Sequence, residues 1–230
     1  MKKNVLISFE GTDCSGKETQ SKALEKRLRK EGISTIRFSF PDYDSPTGKI
    51  VGGPLLGKES ISKGWFSETS ANMDPYLWSL YLAADRYSHK NEIEDYLKNG
   101  YVVILDRWVE LNMGIQSAKI EEKEKRIEFI NWEEKLEYEM LNLPKPDLTF
   151  FLYLPFSHGK KLREKKKEAL DENERNEDFQ KRTVESYLEL AKMKAFKTID
   201  CVKENQIRKV SDIEEEIYQH VKNVMKRGTK

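Results

Sequence analysis

The chain of 230 residues carries 41 Lys+Arg against 40 Asp+Glu, with 37% hydrophobic and 35% charged residues. That composition supports an α/β core under a crowded charged surface. The net charge of +1 lacks the basic excess of a dedicated nucleic-acid binder. Cys14 and Cys201 make neither a disulfide framework nor a zinc spacing, no run approaches the roughly 18 apolar residues of a membrane helix, and Val5 to Phe9 is too short for a secretory core, so the expected compartment is the reducing cytoplasm.

"NVLISFE" is a short apolar run entering a Gly-containing turn and reads as a buried parallel strand. "TQSKALEKRLRKEG" places Ala23, Leu24 and Leu28 at helical spacing and stops at Gly32; "STIRFSF" is the next strand, ended by Pro41. This βαβ unit calls for a right-handed crossover. Pro, Gly and Ser then mark a loop through Ser60 with room for one short helix. "DPYLWSLYLAADRYSHKNEIEDYLKNG" reads as helix with a break near His89, and "YVVILDR" as a strand. "EEKEKRIEFINWEEKLEYEMLNLP" reads as helix and "DLTFFLYL" as strand. The charge-dense stretch from Lys160 to Lys194 is mostly helical, "FKTIDCV" is the last strand and "VSDIEEEIYQHVKNVMKR" an amphipathic closing helix. Alternating strands and helices imply a parallel sheet covered on both faces. One domain over residues 1–230 is expected, since no linker, repeat or second core is visible.

The turn after the first strand, "GTDCSGKET", has the spacing G-x-x-x-x-G-K of a phosphate-binding loop. Such a loop needs inward N–H groups, which Gly11 and Gly16 permit, and it delivers the phosphates to the positive end of a helix. Lys17 supplies a full charge for β- and γ-phosphates. The position that normally offers a metal-binding hydroxyl is Glu18, with Thr19 one residue later. A carboxylate repels phosphate, so Glu18 must turn away or meet a metal through water. As an ordinary strand-to-helix turn the segment would need two coincident glycines and a lysine, and nucleotide binding is the stronger reading.

Asp106, at the C-terminal end of a strand, stands where a Walker B carboxylate reaches Mg²⁺. Arg107 beside it and Arg86 in "AADR" could hold a second phosphate group. Taken singly, an Asp-Arg pair is as often a helix cap with a surface arginine, and a helical arginine is usually solvated. Together with the phosphate loop they favour a phosphoryl-acceptor site.

The chain resembles the thymidylate kinases, within the P-loop nucleoside monophosphate kinases. The resemblance rests on "FEGTDCSGKETQ", "FP" with Gly48-Lys49, "LAADR", "LDRW" with "NMGIQSAK", "LPKPDLTFFL" and "ENERNEDFQKR", in order along nearly the whole chain. It implies a P-loop NTPase-type α/β fold with a small mobile flap over roughly Ser157 to Glu177. It implies ATP on the loop Gly11, Thr12, Asp13, Cys14, Ser15, Gly16, Lys17, Glu18 and Thr19, with Asp13 also near the acceptor sugar. Phe40 and Pro41 would line the base pocket, Arg86 hold the base or phosphate edge, Arg107 the acceptor phosphate, and Asn112 and Gln116 contact the base. Some members carry an arginine in the loop; here that position is Cys14, so the flap must supply the cation, from Arg163 or Arg175. Trp108, Leu111, Ile115 and Leu82 depart from the family's usual residues and bear on base selectivity.

The implied reaction is Mg²⁺-dependent transfer from ATP to dTMP in a homodimer, without nucleic acid or membrane as partner. A dianionic acceptor needs no general base, so the lack of a catalytic triad is no objection. A broader deoxynucleoside monophosphate kinase, a deoxynucleoside kinase using Asp13 or Glu10 as base, and an inactive nucleotide-binding switch are the competing readings.

Overall fold

The apolar runs become five strands of one parallel sheet: β1 (Val5–Glu10), β2 (Thr35–Ser39), β3 (Val102–Asp106), β4 (Leu148–Tyr153) and β5 (Lys197–Asp200), in the order β2-β3-β1-β4-β5. The structure is a computed structural model that describes residues 4–68, 71–165 and 176–227. β1 and β3 are buried at every position, as strands covered on both faces must be. Val5 lies opposite Val102 and Ile7 opposite Leu148, so β1 is central. The chain leaves β1 toward β2 on one side while β4 lies on the other. The crevice at the C-terminal end of β1 is therefore the switch point where open α/β sheets bind ligands.

Successive side chains of a strand face opposite layers. On one face Val5, Ile7, Phe9, Phe150, Leu152 and Ile199 pack with α1 (Lys17–Lys30) and α9 (Val210–Arg227) through Leu24, Leu28, Ile213, Ile217 and Val221. On the other, Leu6, Val103, Leu105 and Phe151 meet α4 (Lys90–Lys98), α5 (Val109–Ser117), α6 (Lys123–Glu134) and α8 (Glu177–Met193). The Pro/Gly-rich segment after β2 forms a short α2 (Pro46–Ile50) that opens into a π turn, Val51–Leu55, containing Pro54. α3 (Pro75–Ser88) ends at His89, which also begins α4, so the anticipated break is present. α6 runs on into a second π turn, Lys135–Met140. α7 (Phe156–Arg163) follows β4. No helix among the described residues is long and apolar enough to cross a membrane.

Three features differ from the sequence reading. The segment after "LDRW" is a helix, α5, buried at eight of nine positions; it has no polar stripe, so helical periodicity cannot reveal it. Val202–Lys203 (β6) and Gln206–Ile207 (β7) pair in a small ribbon turned by Glu204 and Asn205, both with left-handed backbone. Trp65, whose large ring would be expected from its type alone to be mostly buried, is 77% exposed. The charge-dense helical stretch includes α7 and α8; residues 166–175, and with them Arg175 and the middle of the anticipated flap, lie outside the described residues.

Candidate active site

The turn between β1 and α1 takes up the conformation a phosphate cradle requires. Gly11, Cys14 and Gly16 all have positive φ (146°, 62° and 88°). A Cβ on Gly11 would fall 2.7 Å from the Leu152 carbonyl oxygen and 2.8 Å from Ser15 Oγ, so only glycine fits there. Lys17, at the first helical position and buried, folds back over the loop: its Nζ donates to the Gly11 and Thr12 carbonyls at 2.8 and 2.7 Å. Burial, with Arg107 nearby, pushes the ammonium down to about 8. Thr12 and Ser15 are buried, Asp13 and Cys14 half-buried and Thr19 exposed. Glu18 points out to solvent, where its Oε1 accepts from Lys22 Nζ at 2.5 Å, and that contact holds its carboxyl below its usual range.

Facing the loop is the end of β3. Asp106 is buried; its Oδ2 accepts from Arg37 Nη1 at 3.4 Å, while Oδ1 accepts no hydrogen bond among the described residues. Arg107 stands in the left-handed region (φ 71°), a strained place for a long side chain. Its backbone N–H is anchored by the Phe9 carbonyl at 3.0 Å. The guanidinium is thereby carried across to the loop, 3.7 Å from both Asp13 Oδ1 and Asp106 Oδ1. Glu10, fully buried below, accepts from the Trp108 N–H at 2.7 Å and from Tyr187 Oη at 3.4 Å; burial, and then Glu110, push its carboxyl well up.

Phe40 and Pro41, joined by a cis peptide, follow β2. Phe40 packs edge-on to His89 and against Trp108, at centroid distances of 5.3 and 5.1 Å. The loop beyond is pinned to α3 by Asp85, which accepts from the Asp42 N–H, Ser45 Oγ and Thr47 Oγ1. Gly48 has no alternative, since a Cβ would overlap the Asp42 carbonyl oxygen at 1.8 Å.

Arg86 is the largest departure from a solvated arginine: it is fully buried and paired with Glu137, Nε to Oε2 at 2.6 Å and Nη2 to Oε1 at 2.5 Å. Its Nη1 reaches only the Trp108 carbonyl, at 3.4 Å. Asn112, also buried, donates from Nδ2 to Glu137 Oε1 and to the Ser79 carbonyl, each at 3.4 Å. The Oδ1 of Asn112, the Oε1 of Gln116 and the Oγ of Ser79 are buried without a hydrogen-bond partner among the described residues. Glu133, one turn before Glu137, is likewise buried, beside Ser79 and Glu137, and burial, with the Glu137 charge, pushes its carboxyl well up. The sequence reading missed Glu133 and Glu137. Their signal is two acids at i and i+4 of a helix that has to face inward.

Arg163 ends α7 and is buried over the ring of Phe156, 5.5 Å from its centroid, with Nη1 3.4 Å from Gln180 Oε1. Gly159, one turn earlier, faces both Arg163 Nη1 and the Asp13 carbonyl, so α7 lies against the phosphate loop. The expected residues thus fall into a loop group (Gly11 to Lys17 with Asp106, Arg107 and Arg163) and a buried polar group (Arg86, Asn112, Gln116), with Phe40 and Pro41 at the end of β2. Glu18 and Thr19 stand outside both.

The model of the thymidylate kinase family matches residues 9–213. The chain is 32% identical over 222 residues to a probable thymidylate kinase of Methanocaldococcus jannaschii, covering 96% of this chain and 97% of that one. It is 27% identical over 223 residues to a thymidylate kinase of Plasmodium falciparum, covering 97% and 92%. A solved thymidylate kinase from Candida albicans, described as having broad substrate specificity, superposes with a TM-score of 0.73 at 24% identity, covering 95% of this chain and 91% of that one.

Proposed function

The chain belongs to the thymidylate kinase family, enzymes that phosphorylate dTMP to dTDP, and from that premise we propose how its residues divide the work with ATP as donor. The observation that carries this assignment is Arg107: a strained backbone holds its guanidinium between Asp13 of the loop and Asp106 of β3. A phosphate of the acceptor, arriving beside the loop, meets it there.

The loop N–H groups and Lys17 hold the donor phosphates, Lys17 exchanging its two loop carbonyls for β- and γ-oxygens; Thr19 offers a hydroxyl at the first helical turn. Arg107 holds the acceptor phosphate and Asp13 lies toward its sugar. Arg163, against the loop, is the cation that neutralises the transferring group, with Arg175 the alternative. Phe40 and Pro41 bound the base, and Arg86, Asn112 and Gln116 read it. The acceptor dianion attacks without a general base, so alignment and charge neutralisation supply the catalysis. Mg²⁺ would add charge neutralisation at the donor phosphates. Asp106 fits it: a buried carboxylate whose Oδ1 lacks a hydrogen bond. No group of three or more metal-ligating side chains occurs among the described residues, which suits an ion held mainly by phosphate and water.

A broader acceptor range is the second reading, favoured by Leu82, which is aliphatic and buried on α3 where the family commonly stacks a ring on the base. Homodimerisation is supported by the exposed face of α3, where Tyr76, Leu80 and Tyr87 align. A cytoplasmic location is supported by two free cysteines, and a single domain by one sheet uniting the long strands. One acceptor screen with ATP and Mg²⁺ tests the assignment. dTMP is expected to be phosphorylated at least tenfold more efficiently than dCMP, dAMP or dGMP, and thymidine not at all. Equal use of several monophosphates would favour the broader kinase, and turnover of thymidine alone would reject the acceptor site.

A further inference from the structure

The buried pair of Arg86 and Glu137 has a geometry that reaches beyond charge compensation. Glu137 Oε1 accepts from Arg86 Nη2 and, at 3.4 Å, from Asn112 Nδ2. The second neighbour of Nδ2 is another acceptor, the Ser79 carbonyl. A carboxamide can be turned over, exchanging its O and NH₂ ends, at almost no steric cost. Here both groups around one end are acceptors, so only the NH₂ can sit there. The oxygen of Asn112 is therefore forced to the opposite side, where it is buried and unpartnered among the described residues. Glu137 also occupies Nε and Nη2 of Arg86, leaving Nη1 as the loosely held corner.

We propose that Glu137 is a positioning residue for base selection: by fixing the amide of Asn112 with its oxygen outward from the pair, it makes the site demand an N–H donor beside an acceptor, the imide edge of thymine or uracil, and refuse the amino edge of cytosine. This rests on the reading of Arg86 and Asn112 as base contacts. An imide offers a carbonyl for Arg86 Nη1 and an N–H for Asn112 Oδ1. Cytosine offers an amino group and a bare ring nitrogen, which leaves two donors facing each other and two acceptors facing each other. A buried polar group without a partner costs enough to exclude the wrong base.

The fold has arranged Glu137 for this. The π turn Lys135–Met140 widens the helix so that the consecutive residues Glu137 and Tyr138 are both buried. Tyr138 is spent on Glu110, to which its hydroxyl donates at 2.5 Å. Of the two carboxyls beside the pair, Glu137 is the one that accepts from Asn112 Nδ2, and so it is the acid that orients the amide.

The test is the ratio of kcat/KM for dTMP over dCMP in three proteins: wild type, Glu137→Gln, and Glu137→Gln with Asn112→Asp. In Glu137→Gln the charged acceptor is lost and the new amide can donate to Asn112, so only the Ser79 carbonyl still favours the original orientation and the carboxamide can present either end to the base. The ratio is expected to fall at least tenfold, through KM more than kcat. In the double variant the carboxylate at 112 accepts from the glutamine and again presents an oxygen. It also returns a negative charge to Arg86, and the ratio is expected to recover to within about threefold of wild type. A folded Glu137→Gln whose ratio stays within twofold of wild type overturns the proposal. So does a double variant that turns over substrate without regaining dTMP preference, and this second arm decides if the single variant does not fold. A wild type that fails to phosphorylate dTMP would reject the underlying assignment instead, a distinct result.

Discussion

Glu18 and Lys22 are joined one helical turn apart on the solvent side of α1, Oε1 to Nζ at 2.5 Å. The carboxylate that replaces the usual loop hydroxyl is therefore directed away from the phosphates, with 67% of its side chain exposed. An exposed i,i+4 pair of this kind contributes a few tenths of a kcal/mol at most. Glu18→Ser is thus expected to leave stability almost unchanged. Because the new hydroxyl can approach the metal, half-saturation by Mg²⁺ should fall or stay the same. Asp106→Asn should raise it at least tenfold. Magnesium titrations of the two variants decide the matter, and inactivity of Glu18→Ser with an intact fold would make the carboxylate part of the metal site.

Lys17 gives a pH prediction. Its ammonium is pushed down to about 8 by burial, so the free enzyme loses this charge as pH rises through 8. Bound polyphosphate favours the charged form and moves the titration upward. kcat/KM for ATP, which reports the free enzyme, should fall above pH 8, while kcat at saturating ATP stays level to higher pH. A kcat/KM level from pH 7 to 9.5 would refute this. Lys17→Ala should lower kcat on the order of 10²-fold or more in a folded protein.

How far the sequence foretold this site depends on the distance each inference had to cross. Gly11, Gly16 and Lys17 are neighbours in the chain, and their spacing alone specifies a loop whose dihedrals and charge the structure reproduces. Asp106 and Arg107 were legible because a buried strand points to its own C-terminal end. Arg86 was legible as a site candidate but not as a buried group, because its partner Glu137 lies 51 residues away on another helix. α5 was illegible as a helix because burial on all sides erases amphipathic periodicity. The outward turn of Glu18 was one of two stated options; Lys22, four residues on, is the local signal that selects it.

Arg107, on a left-handed backbone, is held by ion pairs to Asp13 and Asp106, so its removal should spare the overall fold. Arg107→Ala is expected to lower kcat/KM for dTMP about 10²-fold and leave the Kd of ATP within threefold. The melting temperature should fall modestly, since Ala keeps the left-handed strain and the buried Asp106 carboxylate loses a cation beside it. An equal loss in ATP affinity, measured by calorimetry, would move Arg107 to the donor side.

Arg163 is buried beside the loop, bonded to Gln180 and stacked on Phe156. As the cation of the transferring group it should matter for kcat more than for KM: Arg163→Ala is expected to lower kcat tenfold or more with KM values nearly constant. If Arg175→Ala shows that pattern and Arg163→Ala does not, Arg163 is a structural pin between α7 and α8.

Gly114 offers a test of the fold that carries the site. It sits in the middle of α5, where glycine is intrinsically unfavourable by about 1 kcal/mol relative to alanine. Propensity alone therefore favours Gly114→Ala. Packing opposes it, because a Cβ there would fall 2.5 Å from the ring of Tyr187. That ring is fully buried, stacks on Phe151 at 5.4 Å and donates its hydroxyl to Glu10, which in turn holds the Trp108 N–H at the start of α5. Overpacking of a filled core costs about 1–3 kcal/mol. The substitution should therefore be destabilising, lowering Tm by several degrees. Displacement of Tyr187 should also pass through Glu10 to the peptide that follows Arg107. Gly114→Ala is expected to lose phosphoryl transfer in larger proportion than a Val184→Ala control on the same helix as Tyr187, matched for loss of Tm. Equal activity in the two variants at equal stability would show that the Tyr187–Glu10–Trp108 chain serves packing alone.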